Sequence, residues 1–390
     1  MKARWKLVAC ALLAWASAWA QAQTPAEPRY VISKADEVDR ACLARLLALV
    51  PDGNGALDPI RLEQFKQHLR TCGWPGLPSA GRQGVDAAGQ LLLRSSADSA
   101  FQEQVINLVQ ERVGIDIDAF GYAWLNDTIQ VQHGRPQQFG TLIAAEGGTL
   151  GLSPKPERTP RFWRDFLGLP PVEEWLAGLQ AALDAGGSLD AAVLSPPLAM
   201  GAYRPLTEPE LRRRVGRMVN RDQDLRGEAI AAMRQGDEER RKALDRQIER
   251  IDAENRASLR DIFDRHGFPT PEMIGRDGVS SVFLLVQHAD DDPVFQAHAL
   301  ALAEPLMQRR DLSRQQYAML ADRVLLAQDQ PQLYGTQYKV EQGKVAVLPL
   351  TDPENVDARR ARMAMGTLAS YLDTVARQLG AGVESGGPGN

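Results

Sequence analysis

Three cysteines among 390 residues are too few for a disulfide-stapled scaffold or a multi-cysteine zinc module. Basic residues do not outnumber acidic ones. The 45 Lys and Arg stand against 50 Asp and Glu, a formal charge of −5, which excludes the basic excess that a broad nucleic-acid footprint wants. Past the N-terminus no apolar run approaches the roughly 20 residues of a spanning helix, so no membrane span is expected once a leader is removed. The chain has no G-x-S-x-G, Walker loop, H-E-x-x-H or dinucleotide fingerprint. No motif names a reaction, and no cofactor is implied. Asp52-Gly53-Asn54-Gly55 with Asp58 looks like part of an EF-hand loop, but Val50 and Arg61 would stand at its two anchoring positions. His288, Asp290 and His298 lack a recognised ligand spacing, so no metal is expected either.

What is present describes a soluble globular protein, with 44% hydrophobic, 24% charged and 6% aromatic residues. At roughly 150 residues per domain, two or three units are expected. Lys2, Arg4 and Lys6, the apolar run Leu7–Ala18, and small residues at A-x-A spacing around Ala20 have the layout of a secretory signal peptide. The expectation is a periplasmic or extracellular protein whose mature chain starts at Gln21 or Gln23. Export makes Cys42 and Cys72 candidates for one disulfide, the alternative being two separate buried thiols.

The rest of the chain reads as a duplication. Gly73-Trp74-Pro75 recurs as Gly267-Phe268-Pro269, Gly81 and Gly84 as Gly275 and Gly278, and Phe101-Gln102 as Phe295-Gln296. After one residue of slippage, Asp127 matches Asp322, and Pro136–Thr141 matches Pro331–Thr336. After one more, Arg164 and Trp175 match Arg360 and Tyr371. The two copies run over roughly 58–178 and 252–374. Caps at Asp292 and Ser313 and a turn at Glu341-Gln342-Gly343 predict a helical bundle with one small hairpin in each copy. The fold class is therefore mainly α, as two tandem copies of one helical module. The layout is a signal peptide over 1–20, a degenerate module over 30–178, a linker over 179–206, an intact module with a charged helical lead-in over 207–379, and a disordered tail over 380–390.

Features shared by both copies are most economically explained as fold, whereas features carried by one copy are free to be functional. Gln287 and His288 stand where the first copy has Leu93 and Arg94. Arg323, Tyr334 and Gln337 stand opposite Thr128, Phe139 and Leu142. In the lead-in, Asp222 interrupts the stripe Leu211, Val215, Met218, Leu225, and Asn255 interrupts Leu244, Ile248, Ile251, Ile262. Polar groups on a buried face must find partners. The candidate catalytic pair is His288 as general base with Asp322 orienting its ring. Gln287, Arg323, Gln332, Tyr334, Gln337, Arg360, Asp222 and Asn255 are candidate ligand-binding groups. The competing reading is a structural polar network with no ligand.

Asp222-Gln223-Asp224-Leu225-Arg226, Gly267-Phe268-Pro269, Gln287-His288-Ala289-Asp290, Asp322-Arg323-Val324, Gln332–Gln337 and Val356–Arg360 together resemble an uncharacterised bacterial family, one known only as a domain of unknown function. The resemblance spans about residues 215–375, and Phe268 stands where that family more often has tryptophan. It implies the domain and no chemistry. The functional expectation is recognition of a small polar or peptidic ligand by the second copy, with hydrolysis as an option. The alternative is a non-catalytic module binding an envelope protein.

Overall fold

The computed structural model describes residues 30–383 except 34, 36, 54, 157–159, 190 and 380–381. The expected signal peptide lies outside the described residues, as does the expected C-terminal tail except for Gly382 and Val383. The described residues divide into two compact units, one holding those up to Pro209 with Pro271–Asp277, the other Glu210–Thr270 and Gly278 onward.

In the first unit, α1 (Arg40–Leu49), α2 (Pro59–Thr71), α3 (Leu77–Leu93), α4 (Ser99–Gln110) and α5 (Ala119–Gln132) precede a hairpin of β1 (Ile143–Glu146) and β2 (Thr149–Leu152). Then come α6 (Arg161–Phe166), α7 (Val172–Asp184) and the short α8 (Ala191–Leu194). Cys42 and Cys72 are joined, tying the start of α1 to the end of α2. Part of the stretch read as linker is built into this unit. Leu198 and Ala199 are buried, and both backbone N–H groups donate to Asp86, at 2.8 and 2.9 Å.

The second unit opens with two long helices, α9 (Pro209–Gln235) and α10 (Glu238–His266), joined by a turn in which Gly236 has φ +71°. Their facing surfaces are laced by Arg214–Asp261, Arg221–Glu254 and Arg240–Glu228 pairs. The short α11 (Pro271–Ile274), counted with the first unit, comes next in the chain. Then follow α12 (Arg276–Gln287), α13 (Pro293–Gln308), α14 (Arg314–Ala327), a hairpin of β3 (Tyr338–Glu341) and β4 (Lys344–Val347), α15 (Val356–Arg362) and α16 (Leu368–Leu379). A short β5 (Gly382–Val383), not anticipated, pairs parallel with β4. The segment from Asp357 to about Gln378 is not one continuous helix. It is broken where Ala364 takes φ +56° and the Arg360 Nε donates to the Gly366 carbonyl, 2.7 Å away.

The element order repeats as the sequence predicts. α3 corresponds to α11 and α12, α4 to α13, α5 to α14, hairpin to hairpin, and α6–α7 to α15–α16. Local chemistry repeats too. Asp98 and Asp292 cap α4 and α13 by accepting from the Phe101 and Phe295 amides, at 2.9 and 3.0 Å. Both hairpins have matching two-residue turns and antiparallel register, Ile143 opposite Leu152 and Tyr338 opposite Val347. Gly140 and Gly335 have φ of +64° and +67°, and a Cβ on either would lie 2.8 Å from a neighbouring side-chain carbon. Glycine is required at both by backbone and by space.

In the second unit, α12 is buried along most of its length. Val279, Val282, Phe283, Leu285 and Val286 are all at most 2% exposed. Phe263 stacks on Phe268 and on Phe295 beside it, with centroids 5.3 and 5.7 Å apart.

Candidate functional site

His288 closes α12 and is 9% exposed. Its Nδ1 lies 3.0 Å from the Asp222 carboxylate on α9. Two further groups fix that carboxylate: Gln223 Nε2 donates to Oδ2 at 2.7 Å and Arg226 Nε to Oδ1 at 3.2 Å. Arg226 also donates through Nη2 to Asp252 of α10, at 2.6 Å. The spacing explains the convergence. Asp222 and Arg226 are four apart and share one face of α9, and Asp252 lies one turn before Asn255 on α10.

Burial raises the Asp222 carboxyl, but the hydrogen bond and charge of His288, with the charge of Arg226, outweigh it and hold the group below the usual carboxylate range. For Asp252 burial wins over Arg226, and its carboxyl is pushed up. Asp222, Asp252 and His288 offer ligand atoms within 4.8 Å of one another. The guanidinium of Arg226 lies on both carboxylates and supplies the cationic partner that a metal would otherwise provide. Gln223, Arg226 and Asp252 were not among the sequence candidates. Arg226 had a signal, four residues beyond Asp222; Asp252 had a weaker one, three residues before the stripe-breaking Asn255.

Past the end of α12 the chain adds further polar contacts. Gln296 Nε2 donates to the Val286 carbonyl at 3.1 Å and approaches Asp290 Oδ1 at 3.2 Å; Arg323 Nη1 donates to the same oxygen at 2.8 Å. Four buried side-chain nitrogens here lack a hydrogen-bond partner among the described residues: His288 Nε2, Gln287 Nε2, Asn255 Nδ2 and Arg323 Nε. All four belong to sequence-predicted site residues, and three of them, with Asp222, gather around the end of α12 through the contacts just described. Asn255 follows one turn after Asp252.

The other candidates are scaffold. Asp322 does not orient His288; Asp222 does. The Asp322 carboxylate accepts from the backbone N–H groups of Leu333, Tyr334 and Thr336, at 2.7, 3.0 and 2.9 Å. Asp127 does the same for Gln138, Phe139 and Thr141 in the first unit. Burial raises both carboxyls against these bonds. Gln332 clamps the Gln337 and Leu348 carbonyls, as Gln137 clamps those of Leu142 and Pro154. Arg360 donates to the Tyr334 carbonyl and lies over the Tyr371 ring, as Arg164 does to Phe139 and Trp175. Gln337 satisfies its amide on Thr336 Oγ1, and Tyr334 packs against a cluster of Ala318, Met363 and Met365.

In the first unit the counterpart positions are chemically quiet. Thr128, opposite Arg323, donates to the Trp124 carbonyl at 2.8 Å. Arg94, opposite His288, donates to the Pro51 carbonyl at 2.9 Å and borders an open cavity of about 570 Å³ with Gln90, Ser96 and Gln132. Asp58, opposite Asp252, is spent as the α2 cap, accepting from the Arg61 amide. In the second unit α10 runs through that position, which frees Asp252 for Arg226.

The fold and site define a tandem helical module in which one copy retains a buried polar cluster that the other has replaced. Residues 46–186 and 209–384 match a family of unknown function (DUF6624), and the chain belongs to it. Neither a curated protein nor a solved structure matches it.

Proposed function

We propose that this is an exported protein whose second module binds a small polar or peptidic ligand at the end of α12, with His288 as the group that takes a proton from the ligand or from a water attacking it. One observation carries this reading: His288 Nδ1 is engaged by a fixed carboxylate, while Nε2 is buried and has no partner. A carboxylate on Nδ1 selects the tautomer with its lone pair on Nε2. Leaving a buried polar atom unpaired costs about 1–3 kcal/mol, and a ligand donor would offset it.

Export is supported by the Lys2–Lys6 and Leu7–Ala18 pattern and by the Cys42–Cys72 bridge, since disulfides persist in oxidising compartments. The test is complementation of a deletion strain. His288→Asn is expected to lose the phenotype at unchanged melting temperature, and Arg94→Ala to retain it. A His288→Asn protein that complements fully would remove His288 from the function.

A further inference from the structure

The unpartnered nitrogens near His288 are not a random sample of polar chemistry. Gln287 Nε2, Asn255 Nδ2 and Arg323 Nε are all donors. Asn255 and Gln287 are 7% exposed and Arg323 is 5% exposed, so bulk water does not satisfy them. Each lies at a position where the first module carries something else: Arg61, Leu93 and Thr128. The donors shared by both modules, on Gln296, Gln332 and Arg360, do find backbone carbonyls. Unpaired donors are not confined to these positions, since Arg164 Nη2 of the shared scaffold pair also lacks a partner among the described residues, but at Asn255, Gln287 and Arg323 they fall close to one histidine.

Resting on the reading of the site given above, we infer that its ligand presents an oxyanion to Asn255, Gln287 and Arg323 and a protic atom to His288 Nε2. Gln287 and Arg323 as donors with His288 as acceptor at the end of α12, and Asn255 as a third donor one turn after Asp252 on α10, match a group with several acceptor oxygens and one hydroxyl or N–H. A phosphate monoester and a carboxylate flanked by an amide N–H both have this chemistry. In a hydrolytic reaction the same donors would stabilise charge developing on the attacked group while His288 holds the water. Asp222, Asp252 and Asp290 do not oppose the anion as free charges, because Arg226 and Arg323 pair with them.

The experiment is calorimetric titration of the full chain with inorganic phosphate, sulfate and acetate, alongside Gln287→Leu, Asn255→Leu and Arg323→Lys variants. Phosphate is expected to bind saturably and sulfate, of the same shape without the proton, more weakly. Loss of any one donor should weaken phosphate about tenfold. Acetate exceeding phosphate would assign the carboxylate source; phosphate exceeding acetate would assign the phosphate one. Without ligand, Gln287→Leu and Asn255→Leu should melt no earlier than the parent, because each replaces an unpaired buried donor with an apolar group. Arg323→Lys keeps a cation for Asp290 and covers the case in which a leucine variant fails to fold. No saturable binding of any of the three anions would overturn the inference, as would phosphate binding indifferent to all three substitutions. His288→Asn separates the two claims. Lost complementation with no anion binding leaves the histidine reading standing without the oxyanion, whereas phosphate binding with full complementation does the reverse.

Discussion

His288 is held by Asp222, 3.0 Å away on α9, a helix with no counterpart in the first module. The relationship is unequal. Without His288, the Asp222 carboxylate still has Gln223 and Arg226. Without Asp222, the His288 ring loses the partner of Nδ1 while its Nε2 already has none. Asp222→Ala should therefore destabilise the protein by about 1–3 kcal/mol, and His288→Phe by clearly less. Chemical denaturation of the two variants measures the difference, and equal losses would contradict it.

In the first unit, burial drops His68 from 6.5 to about 4, chiefly by desolvation and then by the charge of Arg45. Above pH 6.5 the ring is neutral in folded and unfolded chains alike. Between 6.5 and about 4 only the unfolded chain takes up the proton, so stability falls as pH falls through this window. At about 1.4 kcal/mol per pKa unit the loss is no more than about 3.5 kcal/mol. His68→Leu should flatten the melting temperature over this range relative to the parent.

Cys42 and Cys72 are 30 residues apart in sequence. Closing a loop of that length removes unfolded-state entropy amounting to about 3–4 kcal/mol in the chain-entropy model. A Cys42→Ser/Cys72→Ser protein should unfold its first unit earlier by a margin of that order, with the second unit's transition unmoved. Two thiols titrated in the native, oxidised parent would refute the bridge.

The helical class, the hairpins and the duplication were legible in the sequence because caps, glycines and repeat spacing are local. The site was legible in part. Asp222 and Asn255 stood out as breaks in apolar stripes, and Gln287, His288 and Arg323 as one-sided differences between copies. Asp252 did not stand out, because its role depends on α9 lying against α10, and pairing of separate helices leaves little trace in either strand of sequence. Asp322 misled for the opposite reason. A buried carboxylate that ties down a turn and one that orients a catalytic ring are the same residue type in the same kind of helix; only its match with Asp127 marked it as scaffold.

That match gives the sharpest discrimination between scaffold and site. Asp127 and Asp322 each gather three backbone N–H groups of a glycine-containing turn, with closely similar distances. Removing either carboxylate leaves those donors buried and unpaired, so Asp127→Ala and Asp322→Ala should each destabilise their own unit by several kcal/mol, at about 1–3 per orphaned group. If Asp322 served chemistry, its asparagine variant would lose function at near-native stability. As scaffold, Asp322→Asn should lose stability and function together, because the amide keeps one acceptor oxygen and turns a donor toward N–H groups. Asp127→Asn, in the module without the polar cluster, should show the same loss of stability. Melting curves of the two variants side by side, read with complementation, check this: a stable but inactive Asp322→Asn beside a destabilised Asp127→Asn would return Asp322 to the site.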